Sequence, residues 1–111
     1  MKKDMLVYIK DIIDSMNLVE KYVEGLSYEN FEENIAIQDS IMRRFEIIGE
    51  AVSRLTSEFK HQYPEIPWRS MIGLRNIIIH DYSSVNLKEV WRISTVDILK
   101  TKIDIEKILK L

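Results

Sequence analysis

Cysteine is absent from this 111-residue sequence, and proline and glycine are scarce, with two and three residues respectively. Without cysteine there are no disulfides, thiolate metal sites, iron–sulfur clusters or cysteine nucleophiles, and a reducing compartment such as the cytoplasm is the expected location. The three glycines stand apart, at positions 25, 49 and 73, so no glycine-rich loop can cradle a phosphate. With only His61 and His80, and no ligand motif, we expect neither a metal site nor a cofactor.

Long apolar runs are missing as well. No segment has the length of a membrane-spanning helix, and the first residues do not form an apolar signal-peptide core, so we expect neither feature. Sixteen Lys and Arg against eighteen Asp and Glu give a net charge of −2, so the chain lacks the overall positive charge of non-specific nucleic-acid binders. Any role with RNA or DNA must therefore depend on a local surface. The middle of the chain could supply one, with Arg43, Arg44, Arg54, Arg69 and Arg75.

The residues that are present have the composition of a folded globular protein. Of the chain, 46% is apolar and 31% is charged. A chain of this length buries about two thirds of the surface of its unfolded form, which is enough for one core. We therefore predict a single domain over residues 1–111.

The apolar residues recur every three or four positions, which is the spacing of amphipathic helices and not of strands. The first such series predicts a helix over residues 3–24, which Gly25 terminates. A second series predicts one continuous helix over residues 37–59, with a length of about six turns. The residues between the two series fit either a short helix of their own or an early extension of the second helix: Tyr28, Phe31 and Ile35.

Two later segments complete the helical pattern. Pro64 and Pro67 interrupt it, and Pro67 suits the first turn of a third helix that we predict over residues 67–80. A polar stretch follows, and a last amphipathic series predicts a helix from Leu87 almost to the C-terminus. The fold prediction is therefore all-α, an antiparallel bundle of four to five helices joined by short connections.

Chemically unusual residues are concentrated near the end of the third predicted helix. Arg75, Asn76, His80 and Tyr82 lie within eight positions, beside three successive isoleucines that we expect to be largely core. An imidazole can take the proton from a ribose 2′-hydroxyl or return one to a leaving oxygen. A guanidinium can stabilise the charge that develops on a phosphate, and an amide can donate to a phosphate oxygen or fix the histidine tautomer. This set is therefore suited to RNA cleavage without a metal ion.

The arrangement of these residues leaves alternatives open. The helix dipole alone favours a histidine in the last turn, and an arginine can simply pair with an acidic residue, so the set could be structural. In addition, Arg75 and His80 are five positions apart and would point about 140° away from each other on one helix. Either the helix frays near His80, or the two side chains act together across the seam of a symmetric dimer.

The sequence RNIIIHDY at residues 75–82 has the form Arg-x4-His-x-Tyr. It resembles the signature of the HEPN superfamily, in particular the HepT-like toxins of type VII toxin–antitoxin systems. Four flanking segments are similar to that family in order and spacing, namely YVEGLS at 22–27, IIGEA at 47–51, YPEIPW at 63–68 and GLRN at 73–76. The resemblance covers nearly the whole chain, and no position of the signature departs from the pattern.

The resemblance implies an all-helical, HEPN-like bundle that forms a homodimer and cleaves RNA at a composite site on the subunit seam. Arg75 and His80 correspond to the catalytic pair, and Asn76 corresponds to the polar residue beside the arginine. Tyr82 corresponds to the tyrosine to which a partner antitoxin, a minimal nucleotidyltransferase, attaches AMP from ATP to silence the toxin.

Two functions therefore fit the sequence. The first is an endoribonuclease toxin that an antitoxin controls through Tyr82. The second is a non-catalytic helical partner, whose motif serves only as a docking surface and an AMP acceptor. One further residue has an open role, because Glu50 either supports Arg75 or is a polar residue at the edge of the bundle.

Overall fold

The structure is a computed structural model that describes the backbone of residues 2–110 and the side chains of residues 4–110. Within that part of the chain all regular structure is helical and no strand forms, which confirms the all-α prediction. A 3-10 turn and a π-helical segment accompany the α-helices. The α-helices are α1 (Lys2–Val23), α2 (Tyr28–Glu33), α3 (Ile35–Ser53), α4 (Ser57–His61), α5 (Trp68–His80), α6 (Leu87–Arg92) and α7 (Ile98–Leu109), with the 3-10 turn at Tyr82–Ser84 and the π-helix at Ile93–Asp97.

Helix α3 lies at the centre of the packing. It contacts α1 on one side and α5 on the other, and α7 packs against α1. The apolar series of α1 is buried against these neighbours, with Ile9, Ile12 and Val19 fully inaccessible to solvent. The buried residues form one cluster, so the amphipathic faces read from the sequence meet in a common core.

The second predicted helix is interrupted, and this part of the prediction is wrong. Helix α3 ends at Ser53, and α4 begins after Thr56, whose hydroxyl accepts the backbone N–H of Phe59 at 3.1 Å. Leu55 and Phe59 are nevertheless buried, as their spacing implied. The spacing of apolar residues predicts which side chains reach the core, but it does not show whether the helix is continuous, because a capped turn between two helices can keep the same spacing.

The residues between the first two long helices form a short helix of their own, α2. Ser27 caps it through a reciprocal pair of hydrogen bonds with Asn30, and Asn34 then caps α3 by accepting the N–H of Ile37 at 3.0 Å. The last predicted helix is confirmed over its length, because the π-helical segment joins α6 to α7 without a break.

Helix α5 carries the candidate residues. It starts at Trp68, one residue after Pro67, and continues to His80. The expectation that its three isoleucines are largely core is wrong: Ile78 is buried, whereas Ile77 and Ile79 are 46% and 47% exposed. Successive residues differ by about 100° around a helix, so a helix that packs against the core on one side can bury only one of the three.

None of the helices in residues 2–110 combines the length and the apolar character needed to cross a lipid bilayer.

Candidate functional site

The guanidinium of Arg75 is held by a carboxylate on the neighbouring helix. Its Nη2 lies 2.6 Å from Oε2 of Glu50 in α3. The other oxygen of Glu50 accepts a hydrogen bond from Arg54 at 3.2 Å. Of the two sequence-based interpretations of Glu50, support of Arg75 is therefore the one the structure shows. A charge-assisted contact of this kind fixes the orientation of an arginine fork.

The close approach of α3 to α5 at this point depends on Gly49. A Cβ atom at Gly49 would lie 2.2 Å from Cβ of Arg75 and 3.1 Å from the carbonyl oxygen of Met71. No real side chain fits such a space, so the absence of a side chain lets the two helices meet directly beside Glu50. Glycine is thus part of the geometry that places the arginine.

Asn76 contacts the second terminal nitrogen of the guanidinium. Arg75 Nη1 donates to Oδ1 of Asn76 at 2.9 Å, while Nε of Arg75 is buried without a hydrogen-bond partner among the described residues. Arg75 is thus anchored at both terminal nitrogens, and the exposed Asn76 presents its amide group to solvent beside it. Two of the sequence-predicted residues are brought together here.

His80 does not join them within one chain. Helix α5 ends at His80 and is regular up to it, so no fraying between Arg75 and His80 turns the two side chains toward each other. The imidazole is exposed, and in residues 4–110 no side-chain hydrogen bond or ion pair connects it to another group. Arg75 turns toward α3, and a residue five positions later points about 140° away from it.

A cavity of about 320 Å³ opens beside Arg75, between α1, α3 and α5. Its charged lining is mixed, with three arginines and three carboxylates, and His80 is not among the residues that border it. A cavity of this charge balance is a weak anion site, because the carboxylates neutralise the arginines. The lining residues are Tyr8, Asp11, Arg43, Glu46, Ile47, Glu50, Ala51, Arg54, Arg75 and Ile79.

Tyr82 lies just beyond α5, in the 3-10 turn, with 51% of its surface exposed. Its hydroxyl donates a hydrogen bond to Oδ1 of Asp39 in α3 at 2.7 Å. This hydrogen bond raises the pKa of Tyr82 above that of a free phenol, because the carboxylate stabilises the protonated form. The turn itself is fixed by Asp81, which accepts hydrogen bonds from the hydroxyls of Ser83 and Ser84, and these bonds lower the pKa of Asp81.

Sequence reasoning missed the contact between Asp39 and Tyr82. The two residues are 43 positions apart, and Asp39 has no distinguishing sequence context on a helix with several other charged residues. In the part of the chain that the structure describes, no group of three or more histidine, aspartate or glutamate side chains is placed to hold a metal ion.

Comparison with known proteins gives a consistent result. A family model described as "Ribonuclease HepT-like" matches residues 12–108. A Methanocaldococcus jannaschii protein named "Putative RNase" is 35% identical over 105 residues, which is 95% of this chain and 96% of that protein. A Thermococcus cleftensis protein named "Probable ribonuclease HepT" is 34% identical over 110 residues, covering 99% of this chain and all of the relative.

A third relative is a larger protein. It comes from Methanocaldococcus jannaschii, is named "Gamma-glutamylcyclotransferase and putative RNase", and is 37% identical over 110 residues. The match covers 99% of this chain and 50% of that protein, so the chain spans half the length of this relative. No solved structure matches the chain significantly.

Proposed function

Since this chain belongs to the HepT-like ribonuclease family, we propose that it is an endoribonuclease of the toxin type, which cleaves RNA without a metal ion. The observation that carries the proposal is the clamped guanidinium of Arg75, held by Glu50 on one side and Asn76 on the other. A fixed positive fork on a helix that also presents an exposed histidine supplies charge stabilisation and proton transfer, which together can cleave a phosphodiester without a metal ion. The relatives' names support RNA as the substrate.

In the proposed reaction, the 2′-hydroxyl of the substrate attacks the adjacent phosphorus and the 5′-oxygen of the next nucleotide leaves. His80 transfers one proton in this step, either from the attacking hydroxyl or to the leaving oxygen, and water carries the other, so that the products are a 2′,3′-cyclic phosphate and a 5′-hydroxyl. Arg75 stabilises the negative charge on the non-bridging phosphate oxygens. Asn76 supports the arginine and offers its amide hydrogens to the same oxygens.

We further propose that the complete site forms across a homodimer. Arg75 turns toward α3 while His80 points to solvent, so one chain alone does not bring the two groups to one phosphate. Ile77 and Ile79 are exposed on opposite sides of α5, about 200° apart, and border the exposed face that carries Asn76 and His80. They give a second copy two apolar contacts on the C-terminal half of the helix. A two-fold axis there would bring His80 of one subunit to Arg75 of the other, twice per dimer.

A mixing experiment tests this arrangement directly. Arg75→Ala and His80→Ala chains, co-expressed with different tags, should each be inactive alone and should recover cleavage in mixed dimers. Random assortment makes about half of the dimers mixed, with one intact site of two, so we expect about a quarter of wild-type activity. No recovery in isolated mixed dimers, or a fully active monomer in sedimentation, would refute the composite site.

The proposed activity is tested by incubating the purified chain with single-stranded RNA in excess EDTA. We expect cleavage to continue at an unchanged rate, because proton transfer and charge stabilisation come from side chains. Ribonuclease inhibitor and the His80→Ala protein, purified in the same way, control for contaminating nucleases. If the chain does not cut RNA in either condition, the alternative of a non-catalytic partner and AMP acceptor takes its place.

We propose that the cleavage is silenced through Tyr82 by a nucleotidyltransferase antitoxin. The phenolic oxygen would bond to the α-phosphorus of ATP, with release of pyrophosphate and of the phenolic proton. The exposure of Tyr82 and its position two residues after His80 support this assignment. An attached AMP brings a negative charge and a bulky adenosine next to the histidine, where it competes with substrate phosphate without a change of fold.

Co-expression with the antitoxin tests this control. Peptide mass spectrometry should find AMP on Tyr82, and the Tyr82→Phe chain should stay toxic in the presence of the antitoxin because it has no acceptor oxygen. Tyr63→Phe is a matched control that should be silenced like the wild type. If the adduct lies on another residue, or if the antitoxin still neutralises the Tyr82→Phe chain, modification of Tyr82 is not the control mechanism. Formation of a complex between toxin and antitoxin would then explain the silencing.

A further inference from the structure

A second cleft lies at the other end of α5, where the connection from α4 meets the start of the helix. It has a volume of about 560 Å³ and is bordered by the end of α4, by the loop with both prolines and by one face of α5. The cleavage site described above does not use this cleft, except that Asn76 borders it. Among the described residues, its walls contain basic side chains and no carboxylate.

The charged and titratable side chains around this cleft are all basic. Lys60, His61 and Arg69 border it, and no carboxylate does so among the described residues. The side chains of these three residues make no ion pair and no hydrogen bond in residues 4–110. By contrast, Arg43, Arg54, Arg75 and Arg92 are all paired with carboxylates. Arg44 has no ion pair in residues 4–110 either, but it does not border the cleft. The cleft therefore brings together three basic side chains of the middle segment that no carboxylate neutralises.

The cleft is fixed in shape by the residues beneath it. Trp68 is buried, and its indole N–H is shared between the carbonyl oxygens of Lys60 at 3.2 Å and Tyr63 at 3.1 Å. These bonds tie the end of α4 to the start of α5, and Pro64 and Pro67 restrict the loop between them. A preformed cleft loses little conformational freedom when it binds a ligand.

The cleft continues toward the cleavage residues along α5. Arg69, Asn76 and His80 are seven and four positions apart, which places them within about 40° of one another around the helix. The rise from Arg69 to Asn76 is about 10 Å. One face of α5 therefore runs from the basic cleft, past the amide of Asn76, to the histidine. A single strand of RNA laid along this face would bring a neighbouring phosphate to Lys60 and Arg69.

We propose that this cleft binds a backbone phosphate of the RNA substrate, away from the bond that is cut, and that Lys60 and Arg69 are the residues that hold it. The inference rests on the proposed function, and it adds a substrate-binding site outside the signature residues 75–82. Contacts of this kind position a nucleic acid without reading its sequence. They act on binding of RNA and leave the chemical step alone.

The test compares two double variants that remove the same charge. Lys60→Gln with Arg69→Gln empties the cleft of fixed charge, whereas Lys21→Gln with Lys88→Gln removes two exposed lysines elsewhere. Binding of a fluorescent single-stranded RNA is measured at several salt concentrations in His80→Ala chains, and cleavage kinetics are measured with His80 intact. For the cleft variant we expect about tenfold weaker binding, and a salt slope reduced by about 0.7, as for one lost phosphate contact on a single strand.

The kinetic result should separate binding from chemistry. We expect KM of the cleft variant to rise about tenfold at low salt while kcat stays unchanged, and the control variant to match the wild type in both. Equal RNA binding by the two double variants overturns the proposal, as does a fall in kcat at unchanged KM. Normal RNA binding together with loss of antitoxin association would also overturn it, and would assign the cleft to the partner protein. Failure of the wild type itself to bind or cut RNA would instead refute the proposed function.

Gly73 offers a second variant that does not touch the basic residues. It borders the cleft, and a Cβ atom added to it would meet no other atom within 4 Å. Gly73→Glu should therefore fold, place a carboxylate in the cleft and weaken RNA binding at least as much as the double variant. Gly73→Gln, of similar size but neutral, should weaken it less. If Gly73→Glu and Gly73→Gln weaken RNA binding equally, the positive charge of the cleft does not contribute to binding.

Discussion

RNA cleavage should fall by about 10²- to 10⁴-fold in the His80→Ala chain, because the variant loses the group that transfers protons in the proposed step. The Arg75→Ala substitution should lower the cleavage rate by about 10²- to 10³-fold, which is typical when one fixed donor to a developing negative charge is removed. Initial rates on a defined RNA oligonucleotide measure both effects. Growth of cells that express each variant gives a second readout of toxicity.

The two substitutions should leave the fold intact, for different reasons. His80 is exposed and has no partner within the described chain, so its removal takes away no packing. Arg75→Ala leaves Glu50 with Arg54 as a remaining partner at its other oxygen. Arg92→Ala, which breaks two ion pairs on α6 and the π-helical segment, is the matched control and should cleave normally. Wild-type rates for either His80→Ala or Arg75→Ala, with unchanged helicity, would refute the catalytic assignment.

The second large effect is expected from a single methyl group at position 49. In Gly49→Ala the new Cβ atom would overlap Cβ and Cγ of Arg75, so α3 and α5 must separate or the arginine must move. Overpacking of this kind costs about 1–3 kcal/mol, against a gain of about 1 kcal/mol in helix propensity. We expect a net loss of stability in thermal unfolding, and a loss of cleavage larger than the loss of folded protein.

Gly73→Ala provides the control for this prediction on the facing helix. The same methyl group there meets open space, so only the gain in helix propensity remains, up to about 1 kcal/mol. The two glycine variants should therefore shift the unfolding midpoint in opposite directions, by several degrees for a domain of this size. Equal midpoints for the two proteins would contradict the close contact between α3 and α5.

Much of the architecture follows from the sequence alone. The three- and four-residue spacing of apolar side chains is sufficient to predict an all-helical chain, because a helix must turn its apolar face to a core. The extents of α1 and α5 agree with this reading within two residues. The candidate residues of segment 73–82 can also be predicted from the sequence, because residues of one short segment stay close in space in any fold.

Contacts between distant segments were decided by the tertiary structure. Glu50 and Arg75 are 25 positions apart, and they meet because Gly49 allows α3 and α5 to touch at one place. Asp39 reaches Tyr82 only because the turn after α5 folds back over the start of α3. The break after Ser53 was likewise invisible to periodicity, because Leu55 and Phe59 stay buried on either side of a capped turn. Local spacing determines which face of a helix is apolar, whereas the packing of whole helices determines which polar side chains become partners.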